Sequence, residues 1–220
     1  CDISGGISEK RLLALEKSGK IKLTTHTLSE ERRMAQSKST LRRESHSGTL
    51  PRVSIPGYKF WSDASVGHVK SLIDHFVNLF LYVCDATNCL FVYGTKNKSD
   101  AKLTFQKLQA MSPYIMRILS TDGAKEYLCS EMEYACLNAV PMRVLQQTSP
   151  EYVPERNARP ESAWYRIFSL SRYQMAQCGA TRAFWYFSAK YSTTILNHQE
   201  YTVTKRIPWE HFFDCIADFS

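Results

Sequence analysis

The chain has 220 residues, 44% of them hydrophobic and 12% aromatic, which is enough for one sizeable core and excludes an intrinsically disordered polymer. Its formal charge is +7, and residues 1–56 hold 11 Lys or Arg against 6 Asp or Glu, so a basic arm precedes a nearly neutral remainder. The longest strictly apolar run, Leu79 to Cys84, is far below the ~20 residues that span a bilayer, so no membrane helix is expected.

The basic arm suits a polyanion, because Lys and Arg that neutralise phosphates release condensed counterions. A solvated charged tail has the same composition. The seven cysteines form no CxxC pair and are not crowded, which reads as reduced, mostly buried thiols of an intracellular protein. The sequence starts at Cys1 without a charged, then apolar, leader, so it reads as a piece of a longer chain.

In chain order, residues 8–21 (SEKRLLALEKSGKI) set Leu12, Leu13 and Leu15 among charges before Gly19, a short amphipathic helix. Thr24 to Pro56 is polar and basic, an arm or linker, and the folded core is expected to begin near Gly57. Tyr58–Ala64, Leu79–Ala86 and Cys89–Tyr93 are rich in aromatic and β-branched residues and predict three strands, the last two joined as a hairpin. Ser99–Gln109 has helical spacing, and Tyr114–Ser120 predicts a fourth strand. Ser130 with Glu133 reads as a capping box opening a helix to Asn138, and Val140–Gln147 can form a fifth strand. Helices are then expected at Glu161–Cys178 and Thr181–Asn197, divided by Gly179. The order predicts an α/β fold, a mixed five-stranded sheet flanked by helices.

Three acids stand where apolar segments end: Asp63 in YKFWSD, Asp122 in RILSTDG and Glu155 in SPEYVPER. Clustered carboxylates raise one another's pKa, so a cluster that stays ionised calls for a cation. With no His or Cys among them the donors favour Mg²⁺ or Mn²⁺ over zinc. Two such ions, ~3.5 to 4 Å apart, can serve an in-line phosphoryl displacement. Any one of the 21 acidic residues after a strand is more often a turn residue or cap.

The words around these acids carry a resemblance. FWSDAS, LYVCDATN, VYGTKNKSDA, RILSTDGAKEYLCSEM, TSPEYVPERNAR and AFWYFSAKYSTTILN follow one another over residues 58–197, and this order is similar to the catalytic core of copia-type retrotransposon integrases. Upstream, SEKRLLALEKSGKI and QSKSTLRR resemble the pre-integrase region of the same polyproteins. The resemblance implies a ribonuclease-H-like core over 57–200, with residues 1–56 as a basic, degenerate pre-integrase arm and 201–220 as a C-terminal extension. It also implies Asp63, Asp122 and Glu155 as the acids that bind two Mg²⁺ or Mn²⁺ ions, with DNA trimming and strand joining as the chemistry.

The implied partners are element ends and target DNA, with self-association, in the nucleus or a cytoplasmic particle. Lys125, Arg143, Arg156 and Arg159 flank the acids and are candidates for DNA phosphates, or else serve solubility. The sequence departs from the family's pattern in two places. Only 32 residues separate Asp122 from Glu155, fewer than the family has, and Glu151 to Pro154 replace its flexible loop. Glu151 is a weaker candidate for the third acid. Glu31 and Met34 occupy the positions of the family's upstream CxxC, so no structural zinc is expected, and His26 and His46 read as solvated. A second reading follows, an inactive remnant that binds nucleic acid through its arm. Trp164, Phe168, Phe184, Trp185 and Phe187 have helical spacing that predicts core packing rather than base stacking, and Asp85 reads as a hairpin turn residue.

Overall fold

The computed structural model describes residues 52–148 and 158–216. In chain order these form β1 (Lys59–Ser65), β2 (Asn78–Cys84), β3 (Leu90–Thr95), α1 (Ala101–Met111), β4 (Ile118–Thr121), α2 (Ser130–Leu137), β5 (Leu145–Thr148), α3 (Ala158–Gln177), α4 (Trp185–Asn197) and α5 (Pro208–Phe213). The predicted 8–21 helix, the arm, Glu31, Met34, His26 and His46 lie outside the described residues, as do Glu151, Glu155 and Arg156.

The strands make one mixed sheet in the order β3-β2-β1-β4-β5. β1 pairs antiparallel with β2 and parallel with β4, and β5 runs parallel to β4. The β2–β3 hairpin turns through Asn88 at φ 59, a left-handed conformation that Asn tolerates better than most residues, and closes with Cys84 N–H bonded to the Cys89 carbonyl at 2.9 Å.

Helices cover both faces. On one, Phe60, Phe80, Tyr82 and Leu119 pack against Phe105 and Leu108 of α1, Met132 of α2 and Phe212 of α5. On the other, Trp61, Leu79, Leu81 and Val83 pack against Trp164, Ile167 and Leu170 of α3 and against Trp185 and Ala189 of α4. All seven residues of β2 are buried, which is why its apolar residues run continuously instead of alternating. Gly94 in β3 is required by close packing: a Cβ there would lie 2.2 Å from the Phe76 ring and 2.7 Å from Tyr186.

Several expectations shift on the structure. The fourth strand is Ile118–Thr121, and the fifth begins only at Leu145, after a turn through Pro141, which has no N–H to offer a ladder. Ser130 is not a cap: Cys129 holds that position, and the Ser130 hydroxyl bonds Glu131 instead. The capping box sits at Asn97, whose N–H is accepted by the Asp100 carboxylate at 3.1 Å, ahead of α1. Pro160 lies inside α3, near its start, where the amide it lacks would have had no helical partner. The stretch expected as a C-terminal extension sends Phe212, fully buried, into the core beside Phe60 and Phe91. Gly179 ends α3 at φ 61, in the stop role read from the sequence. Among the described residues no helix is long and apolar enough to cross a membrane.

Candidate active site

The parallel pairing of β1 with β4 ends at Ser62↔Thr121. One residue further along these two adjacent segments come Asp63 and Asp122, near enough for the charge of Asp122 to act on Asp63. Because side chains alternate along a strand, Asp63 shares the face of Trp61, the face that α3 covers. Asp63 is not at a strand end as expected: β1 continues to Ser65 against β2, and it is β4 that stops, leaving the carboxylate at an opened edge.

Asp63 is held firmly. Its Oδ1 accepts the Ala64 N–H at 2.8 Å, and its Oδ2 accepts the indole N–H of Trp164 at 3.0 Å. Burial, followed by the charge of Asp122, pushes the Asp63 carboxyl up to about 6, against the pull of those two hydrogen bonds. The charge of Glu161, one helical turn before Trp164 on α3, pushes in the same direction. Burial also raises Asp122, aided by the charge of Glu126, while the Ala124 amide, 3.3 Å from Oδ1, acts the other way.

The loop after Asp122 is anchored by Tyr127. Its ring is fully buried, its hydroxyl is 2.8 Å from Ser62 Oγ, and its carbonyl accepts the Gln146 side-chain amide at 2.6 Å. The loop is thus tied to both β1 and β5. Nothing in the sequence marked Tyr127, Glu161 or Trp164 for this site. The available signal was the three-residue spacing of Glu161 and Trp164, which puts both on one helix face.

The other predicted residues are dispersed. Lys125 is exposed in the loop after Asp122, and Arg143 is exposed before β5, where it lines a groove of about 550 Å³ with Arg117, Tyr127 and Glu133. Arg159, expected on DNA phosphates, turns inward instead: its side chain is 10% exposed and ion-paired with Asp85, which is itself 1% exposed. Asp85 is therefore more than a turn residue. It also accepts the Trp61 indole N–H at 2.5 Å and the Val53 N–H at 2.6 Å, tying the start of α3 and the chain before β1 to the end of β2. Of the five aromatic residues whose spacing predicted core packing, Trp164 and Trp185 are buried, Phe168 and Phe187 are half-buried, and Phe184 is exposed.

No protein-family model and no curated protein sequence matches the chain. Solved structures do. A chain of the simian T-cell lymphotropic virus intasome in complex with PP2A regulatory subunit B56 gamma superposes with TM-score 0.62 at 16% identity, over 78% of this chain. This chain spans 60% of that chain's length. The BIV integrase catalytic core domain matches at TM-score 0.53 and 13% identity, over 72% of this chain and 95% of its own. The HTLV-2 integrase catalytic core domain in complex with magnesium, a trimeric form, matches at 0.55 and 16%, over 72% and 97%.

The fold is that of an integrase catalytic core. This ribonuclease-H-like architecture puts Asp63 and Asp122 where two parallel strands part. Both are hard oxygen donors whose mutual repulsion a divalent cation would relieve, so the pair fits Mg²⁺ or Mn²⁺. Among the described residues no group of three or more His, Cys, Asp or Glu is gathered closely enough to hold an ion.

Trp164→Phe keeps an aromatic ring on Phe168 and deletes the indole N–H that favours ionised Asp63. The variant is expected to move the pH midpoint of Mn²⁺ binding, followed by calorimetry, upward by about 1 unit. An unchanged midpoint would mean that this hydrogen bond does not tune the site.

Proposed function

We propose that this chain is the catalytic core of a copia-type retrotransposon integrase, performing metal-dependent polynucleotidyl transfer on DNA: hydrolytic trimming of element ends and attack of their 3′ hydroxyls on target phosphates. The observation that carries this reading is the closeness of Asp63 and Asp122, each with its carboxyl raised, one residue beyond paired parallel strands. The integrase-core fold and the ordered copia-like words support it from independent directions.

Asp63 and Asp122 would hold Mg²⁺ or Mn²⁺, together with Glu155 as the third ligand assigned by the resemblance. When bound, the ions would activate the attacking oxygen and neutralise charge on the phosphate. The chain's own part is positioning. The Ala64 and Trp164 N–H groups fix the rotamer of Asp63, and Tyr127 fixes the turn that carries Asp122. Lys125 and Arg143, both exposed, are proposed phosphate contacts, with Arg156 beside Glu155. Arg159 serves α3 through Asp85. The proposed partners are element and target DNA, with self-association as in the intasome and trimeric neighbours.

The reading is tested by a strand-transfer assay on short DNA ends with Mg²⁺ or Mn²⁺. Glu155→Gln is expected to cut joining ~100-fold or more, the scale of a displaced catalytic group, and Glu161→Gln to stay within ~10-fold. The reverse pattern would make Glu161, whose charge already reaches Asp63, the third ligand.

A second reading has its own support: only 32 residues lie between Asp122 and Glu155, fewer than in the family, and Glu151 to Pro154 stand in place of its flexible loop. On that reading the chain is an inactive remnant that binds nucleic acid through its basic arm. Salt-dependent DNA binding without metal-dependent joining would select it.

A further inference from the structure

A second groove, of about 380 Å³, lies on the α3 side of the sheet and is not used by the proposed chemistry. Its walls are the rings of His68, Phe168 and Trp185, and Arg172 and Arg182 line it as well. That volume falls in the ~300–1,000 Å³ range of small-ligand pockets. The rings form a continuous series that starts at the acidic pair. Trp164, bonded to Asp63, stacks on Phe168 at 5.0 Å and 8°; Phe168 meets His68 at 5.8 Å; His68 stacks on Trp185 at 4.3 Å and 20°.

The geometry is braced. Ser65, two residues after Asp63, bonds His68 Nε2 at 2.8 Å, and the Trp185 N–H is accepted by the Val69 carbonyl at 2.7 Å. Trp164 and Trp185 are buried, whereas His68 and Phe168 are half-buried and keep ring surface open to the groove. Burial lowers the His68 pKa, which favours the uncharged imidazole as a planar stacking surface. Aromatic surface flanked by arginine is the combination that receives an unpaired base and its phosphate, because every base has a stacking face and Arg pairs with phosphate oxygens.

We propose that this groove binds an unpaired nucleotide of a DNA strand, its base on Phe168 and His68 and its phosphate on Arg182 and Arg172. This inference rests on the reading of the chain as a DNA-joining core and adds a single-strand site beside the acids.

The test is fluorescence anisotropy in EDTA with the full chain, using a labelled single-stranded oligonucleotide and the same strand in a blunt duplex. Because no metal or joining is involved, loss of the joining chemistry and loss of this site are read separately. His68→Ala is expected to weaken single-strand binding ~10-fold, the scale of one base stack, with duplex binding within ~2-fold. His68→Phe, which keeps a ring, should restore it. Arg182→Gln, at an exposed position, should weaken single-strand binding and flatten its salt dependence.

The proposal is overturned if the wild type does not bind the single strand at low salt, or if all three variants bind it as the wild type does. Equal loss on both substrates overturns it too. So does an apolar dye held in the groove and not displaced by the oligonucleotide, which would assign the groove to an apolar protein partner.

Discussion

Asp122→Asn is expected to abolish metal-dependent joining, by ~1,000-fold or more, since removing one anionic ligand forfeits several kcal/mol of metal-supplied stabilisation. The same change should leave the apo protein folded and no less stable. Asp63 and Asp122 repel across a partly buried gap, and that repulsion, after burial, is what pushes Asp63 up to about 6. The sign of the pH dependence follows. Asp63 binds its proton more tightly folded than unfolded, so between its ordinary value of 3.8 and about 6 the folded state carries more protons. Apo stability contributed by this group therefore rises as pH falls through about 6 towards 3.8, and the cost of ionising it is fully present above that window. In Asp122→Asn the slope across the window should shrink. Urea denaturation at several pH values, alongside the joining assay, measures both. Joining that survives the substitution would remove the acid pair from the chemistry.

The largest loss of stability is expected at Asp85→Ala. Asp85 is 1% exposed and accepts from Arg159, the Trp61 indole and the Val53 amide. Truncating it leaves Arg159 a buried cation without this counter-charge, and breaking such a pair costs about 3–5 kcal/mol. Lys59 and Arg159 both lie over the Trp61 ring, at 4.3 and 5.6 Å, and burial already lowers the affinity of each for its proton. The charge of Arg159 adds to the lowering at Lys59, and that of Arg52 to the lowering at Arg159. Removing the carboxylate would deepen this crowding of positive charge. The urea midpoint should fall accordingly with an unchanged slope. A loss below about 1 kcal/mol would mean that the pair is no anchor. Because Arg159 lies near the start of α3, the helix that carries Trp164 to Asp63, joining should fall together with stability.

These two sites show how differently sequence and structure contributed. The hairpin of β2 and β3, the buried run of β2 and the stop at Gly179 were legible because each depends on local preference: apolar strand formers, a turn Asn, a glycine at positive φ. The weaker predictions fell where neighbours decide. Ser130 had the right partner three residues on, yet the helix began beside Cys129 and left it uncapped. Val140–Gln147 looked like one strand, but only its end reaches the ladder of β4.

By itself the sequence determined the order of strands and helices from β1 to α4, the basic charge of residues 1–56, and Asp63 and Asp122 as acids following apolar segments, but not α5. Tertiary structure alone decided that those two carboxylates lie near each other, that Trp164 reaches Asp63 from 101 residues away, and that Arg159 turns to Asp85 across 74. Chain-local preferences are set by each residue's own backbone and near neighbours. A buried charge or donor is satisfied by whichever partner packing brings within about 3 Å, and sequence distance leaves no mark on that choice.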